Sequence, residues 1–310
     1  MSKLEQMAYK MQPAGHEAPP PKRKYTQKRS VISAYEEWVE KCSKDKKQHP
    51  YKLAVEAIKN IDCAVENAHA LLITHKDKPI NIEQKDGIFV SAIYNEAPDK
   101  IITIDFDTET SLLGYKLAKS KTIVVQGKVG AEAGFQAQGN IISYGINTNL
   151  LGENASGTIL NYGHATSGLA STLKKSGLGI NMGTAAGFGS EAKGVIINLD
   201  DAMDFFAGNN KGMVINAGVF GRYFAENATG IIITTEQIRD PEEPTWKLFI
   251  DPKQCPEELL KYIEGLKSKF EQGREDHMAA IAAIGELGPT PGKKVRKDIE
   301  TILRKAGHHV

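Results

Sequence analysis

The chain has 310 residues, with 39 basic and 38 acidic side chains and 41% hydrophobic residues, enough to bury one large core or two modest ones. Cys42, Cys63 and Cys255 lie far apart, which excludes both the Cys-x-x-Cys spacing of a zinc site and a disulfide framework. No apolar run approaches the roughly 18 residues that would span a bilayer, and the first residues lack a secretory h-region, so a soluble cytoplasmic protein is expected.

Charge is unevenly spread. Residues 1–30 carry seven basic residues against Glu5 and Glu17, a net of +5, while residues 281–310 carry six against Glu286, Asp298 and Glu300, a net of +3. The body between is therefore acidic. Basic ends of this kind suit a nucleic acid or anionic surface as well as they suit solvated tails.

In chain order, residues 1–30 combine Pro13, Pro19, Pro20 and Pro21 with Lys22-Arg23-Lys24 and few aliphatic residues, the composition of a flexible arm. Residues 31–70 show helical spacing, first in Ile32, Tyr35, Trp38, Val39 and Cys42, then in Leu53, Ala54, Ala57, Ile58 and Ile61. Residues 71–110 contain three short β-branched or aromatic runs, Leu71 to Thr74, Gly87 to Tyr94 and Lys100 to Phe106, which predict strands capping the region after residue 110. Beyond residue 236 the region 237–310 reads as helical. Pro256 to Phe270 is amphipathic, Asp276 to Leu287 is a second helix, residues 288–292 form a linker, and Lys293 to Lys305 is a basic last helix.

The strongest signal is internal repetition in residues 111–236. Gly139, Gly157, Gly177, Gly194, Gly212 and Gly230 each precede an apolar triplet or its equivalent, at intervals of 17 to 20 residues. Four residues on come Asn161, Asn181, Asn198 and Asn216, and six on come Gly145, Gly163, Gly183, Asp200 and Gly218, with Gly127 in the turn before. Leu151, Phe188, Phe206 and Phe224 stand six residues before a glycine. Such phase-locked columns predict a mainly β fold, a single-stranded β-helix of about seven coils of about 18 residues with helical flanks, because stacked coils bury equivalent residues over one another. Glycine is expected at tight or left-handed corners, and the asparagines are expected to form a hydrogen-bonded ladder.

Turns such as Val125-Gln126-Gly127-Lys128-Val129-Gly130 and Asn216-Ala217-Gly218-Val219-Phe220-Gly221 resemble the glycine-repeat (GXGXG) β-helix. That domain ends the large subunit of glutamate synthase and recurs in the C subunit of formylmethanofuran dehydrogenase. The resemblance covers about 125 residues. This chain departs from the family in having Gln138, Ser156, Lys193 and Thr229 where a first glycine is usual, and Gln136, Asn154, Asn209 and Asn227 where methionine is common. The resemblance implies a packing element without catalytic residues, and so a scaffold for a partner subunit or for self-association, or an accessory subunit of a redox or amidotransferase complex.

Sharper chemistry is sparse, and no cofactor-binding pattern is present. Gly177 to Gly183 imitates a dinucleotide loop but has no helix after it. Asp105, Asp107 and Glu109 alternate along a strand and so share one face, where they are the candidates for holding a cation or cleaving a glycan. His164 is the candidate general base of an acyl-active β-helix.

Overall fold

The computed structural model describes residues 30–74, 86–108, 110–147, 150–235 and 248–310. Helices α1 (Val31–Lys44), α2 (Pro50–Ala57), α3 (Val65–Thr74) and α4 (Asp86–Glu96) precede the solenoid. The long strands are β1 (Ile101–Ile104), β2 (Thr122–Val125), β3 (Asn140–Ser143), β5 (Thr158–Asn161), β7 (Leu178–Asn181), β9 (Val195–Asn198), β11 (Met213–Asn216), β13 (Ile231–Thr234) and β14 (Leu248–Ile250). Between them lie two-residue strands β4 (Ile146–Asn147), β6 (His164–Ala165), β8 (Thr184–Ala185), β10 (Asp201–Ala202) and β12 (Val219–Phe220). Helices α5 (Glu257–Glu271), α6 (His277–Glu286) and α7 (Pro291–Lys305) close the chain.

Among the described residues all pairing is parallel, in a nine-stranded sheet β1-β2-β3-β5-β7-β9-β11-β13-β14 and a five-stranded sheet β12-β10-β8-β6-β4. The parallel solenoid of about seven turns is thus present, with β1 and β14 adding a strand at either end of the long sheet. Its interior is filled by three columns. Ile123, Ile141, Ile159, Ile196, Val214 and Ile232 come from the long sheet, Ala165, Ala185 and Ala202 from the short one, and Leu151, Leu169, Phe188 and Phe206 from the third face. Gly179 interrupts the first column, where a Cβ would press on Ala170, Ile196 and Phe188 at 3.0–3.2 Å.

The asparagine column forms the expected ladder. Asn161 Nδ2 donates to Asn181 Oδ1 at 2.9 Å, Asn181 to Asn198 at 3.0 Å, Asn198 to Asn216 at 2.9 Å, and Asn216 to Thr234 Oγ1 at 3.5 Å. The same amides of Asn161, Asn181 and Asn198 also donate to carbonyls of their own corner and of the next coil. All four asparagines are fully buried.

The glycines work differently from the expectation. Gly139, Gly157, Gly194, Gly212 and Gly230 do not have left-handed backbone; a Cβ on each would overlap a carbonyl oxygen of the coil before it. The second column, Gly145, Gly163, Gly183 and Gly218, has the same constraint. Lys121, which stands where the first glycine column would begin, turns its ammonium to the carbonyls of Ala97 and Asp99 just after α4.

Left-handed backbone is concentrated on the third face, which is neither strand nor helix. One column of positive φ runs Glu132, Leu150, Gly168, Gly187, Phe205 and Tyr223; a second runs Gly134, Gly152, Ala170, Gly189, Ala207 and Ala225; a third includes Gln136, Asn154, Asn209 and Asn227. Each non-glycine residue in this region costs about 1–2 kcal/mol intrinsically. Coil-to-coil hydrogen bonds offset it, among them Gln136 N to Glu153 O (2.9 Å), Leu150 N to Ser167 O (2.9 Å) and Gly152 N to Ala133 O (2.7 Å). Asparagine tolerates this conformation well, which suits Asn154, Asn209 and Asn227 to the third column.

Residues 71–110 differ from the strands that the sequence predicts. Leu71 to Thr74 belongs to α3 and Gly87 to Tyr94 to α4, leaving β1 as the only strand among the described residues there. Gly87 to Tyr94 is buried on every side, and a short apolar run in that setting has no periodicity to separate helix from strand. Trp38, Tyr35 and Phe89 pack edge to face or tilted at 5.3–5.7 Å, in one core with the solenoid interior, so α1–α4 plug its first coil.

The C-terminal helices cover a flank rather than an end. Val124, Ile142, Leu160, Ile180, Ile197, Ile215 and Ile233 point outward from the long sheet and bury against Leu259, Ile263, Leu266, Phe270, Val295, Ile299 and Leu303. Tyr162 Oη donates to Phe270 O at 2.6 Å, and Tyr144, stacked on Tyr162 at 4.9 Å, donates to Gly273 O. Arg274 pairs with Asp200 at 2.9 Å, locking the bundle to the one corner where an aspartate replaces glycine. The linker near 288–292 is shorter than expected, since α7 begins at Pro291 and Gly292 packs on the Ser176–Gly177 carbonyls.

Candidate interaction surface

The acidic trio does not assemble on a strand. β1 ends at Ile104; Asp105 and Asp107 are exposed beyond it, Asp107 Oδ1 accepting from Lys128 N at 2.7 Å, and Glu109 lies outside the described residues. Asp105 faces His69, whose imidazole is held below its ordinary pKa by burial while Asp105 and Glu66 oppose the shift. His164 sits on the short sheet between Ile146 and Thr184, on a different coil and sheet from Asp105. Among the described residues no group of His, Cys, Asp or Glu is placed to hold a metal. Gly177 to Gly183 is a plain coil built on β7. The basic C-terminus is largely paired within the chain: Lys294 with Asp298, Arg304 with Glu300, and Lys305 with Glu258. No helix among the described residues is long and apolar enough to cross a membrane.

What the fold does present is an open corner between the short sheet and the third face. Sheet alternation puts Ile146, His164, Thr184, Asp201 and Val219 outward, and the left-handed third face turns Phe205 and Tyr223 outward as well. Met203, Phe205, Val219 and Tyr223 are 44%, 56%, 69% and 46% exposed, on two adjacent coils, and the rings of Phe205 and Tyr223 stack at 4.8 Å and 12°. Single exposed apolar residues are ordinary, but four together form a patch.

A groove of about 770 Å³ opens beside this patch. Its origin is the left-handed column. Where neighbouring coils carry Leu150, Phe205 and Tyr223, two successive coils carry Gly168 and Gly187, so the ladder is notched two coils wide. Glu153, Glu191, Asp204, Ser167, Ser171 and Thr172 line the notch, with Leu150 on one side and Met203 and Phe205 on the other. Burial first, then the Glu132 and Glu191 carboxylates, push Glu153 above the ordinary carboxylate range.

A raised carboxyl pKa means that the folded chain holds the proton more tightly than the unfolded chain. Glu153 therefore contributes stability that is present at low pH and lost as pH rises through its folded pKa. Glu153→Gln is expected to raise stability at neutral pH and to flatten the loss of stability as pH rises above the ordinary carboxylate range, as read by urea unfolding at acid and at neutral pH.

The sequence named neither patch nor groove, although the signal was present: aligned by coil, glycines replace long side chains at one column in two consecutive turns. Comparison of the chain with protein-family models, with curated proteins and with solved structures gives no match.

Proposed function

We propose that the chain is a non-catalytic β-helical scaffold whose open corner docks a protein. The observation that carries this reading is the contrast between its faces. The long sheet buries its outward isoleucines under α5–α7, whereas the corner leaves Met203, Phe205, Val219 and Tyr223 in water. Covering such a patch removes apolar area worth about 25 cal/mol per Å², on a backbone whose coil-to-coil hydrogen bonds pre-organise it. The glycine-repeat resemblance supports one form of the same reading, an accessory subunit bracing a redox or amidotransferase chain. A second copy of this chain is the other form.

The test is purification of the tagged full chain from its native host at low salt, with sedimentation velocity, in parallel with Phe205→Asp/Val219→Asp. The scaffold reading expects a stoichiometric partner or a defined oligomer with the unaltered chain, weakened at least tenfold in the double variant. A partner-free monomer, or a complex that the double variant retains, overturns it. The co-purifying chain decides between the two forms.

A further inference from the structure

We infer that the groove beside the apolar corner accepts an alkylammonium group, supplied by a lysine side chain of the docking protein. The inference rests on the corner being a docking surface and adds the chemistry of what enters it. Three carboxylates, Glu153, Glu191 and Asp204, line the groove, and no lysine or arginine does. That arrangement rejects phosphates, nucleotides and carboxylates.

The acidic groups are not satisfied internally. Among the described residues the Glu191 side chain has no hydrogen-bond or ion-pair partner, and that of Glu153 has only a long contact of 3.4 Å from Asn154 Nδ2. Asp204 Oδ1 accepts from the backbone N–H of Arg222 at 2.8 Å, which leaves its other oxygen available. Ser171 gives an independent sign. Its side chain lines the groove, the residue is only 7% exposed, and its hydroxyl has no partner among the described residues. A hydroxyl on so buried a residue, without a partner among the described residues and at the wall of a groove, has its donor and acceptor free for a ligand atom.

An ammonium supplies three N–H donors and no acceptor, matching a cluster of carboxylates and hydroxyl oxygens. Met203 and Phe205 provide the apolar wall along which a four-carbon lysine stem lies while its charged tip reaches the acids. A neutral saccharide would use the hydroxyls and the aromatic wall but would leave the mutual repulsion of the carboxylates unrelieved. The cation removes it.

The probe is an acetylated, amidated hexalysine peptide titrated into the full chain, with maltohexaose as the neutral comparison. Glu153→Gln/Glu191→Gln is compared with Glu36→Gln/Glu66→Gln, which makes the same charge change on exposed positions of α1 and α3. The inference expects saturable hexalysine binding, weakened at least tenfold in the groove variant and less than twofold in the helix variant, with Ser171→Ala weakening it severalfold. The groove variant is expected to fold, because it removes repulsion. Equal weakening in both double variants would mean attraction to the acidic body alone and would overturn the inference. So would maltohexaose binding that the groove variant abolishes. Either result leaves the docking reading standing, since that is decided by Phe205→Asp/Val219→Asp.

Discussion

Asn198→Ala is expected to destabilise the chain by about 3–5 kcal/mol, because it opens the middle of the buried ladder and leaves several polar groups unsatisfied at about 1–3 kcal/mol each. Asn198 accepts from Asn181 and donates to Asn216, to Asp200 O and to Val219 O. Deleting the amide strips a donor from Asn216 Oδ1 and from two carbonyls, and an acceptor from Asn181. Asn198 is fully buried, so water cannot substitute without opening the coil. A loss of volume alone predicts much less, since only a small side chain is removed. The comparison that separates the two accounts is Thr158→Val. Thr158 is also fully buried, but its hydroxyl has no partner among the described residues, so replacing it with an isosteric methyl is expected to be neutral or stabilising. Urea unfolding of the two variants, with hydrogen exchange to locate the opening, checks both. A drop below 1 kcal/mol in Asn198→Ala would show that the ladder is incidental to stability.

How much of the fold was legible in the sequence depends on which forces are periodic. Gly139 to Gly230, Asn161 to Asn216 and Phe188 to Phe224 recur in phase because coils stack and equivalent side chains meet, so the solenoid, the ladder and the interior aromatic stack were all readable. Phe188 and Phe206 stack at 5.5 Å as that phase requires. The strand reading of Gly87 to Tyr94 failed because a helix buried on all sides loses its polar face, and only three-dimensional context restores the distinction. The third face is hidden for another reason. Left-handed backbone is usually inferred from glycine, yet here Glu132, Leu150, Phe205 and Tyr223 adopt it, held by hydrogen bonds between coils that no local rule anticipates. The groove inherits that difficulty, since Gly168 and Gly187 become a notch only once the column they interrupt is known. Asp105, Asp107 and Glu109 illustrate the opposite error. Alternation in sequence suggests a shared face, but the strand stops at Ile104.

Gly157→Ala is expected to cost at least as much as the loss of the ladder, and probing it beside Gly265→Ala makes the role of the glycine columns measurable. A Cβ on Gly157 would overlap the carbonyl oxygen of Gly139 and crowd both atoms of the Gln138 carbonyl, all inside the 3.0 Å that real Cβ atoms keep. None of these is the end of a flexible side chain. Relief requires moving one coil off its neighbour, against a sheet spacing of about 4.8 Å fixed by hydrogen bonds, and the displaced coil would pull Ile159 from the interior and Leu160 from beneath the C-terminal helices. A methyl group forced into a packed interior typically costs 1–3 kcal/mol, and more where only backbone can yield; about 4 kcal/mol or failure to fold is expected. Gly265 lies within α5, and a Cβ there would meet nothing within 4 Å, so alanine adds helix propensity without contact and is expected to stabilise by about 0.5–1 kcal/mol. If the repeated glycines served corner flexibility alone, Gly157→Ala would cost no more than about 1 kcal/mol, because Gly157 does not have left-handed backbone. The two substitutions are chemically identical, and their opposite signs under urea unfolding would assign the periodic glycines to the closeness of the coils.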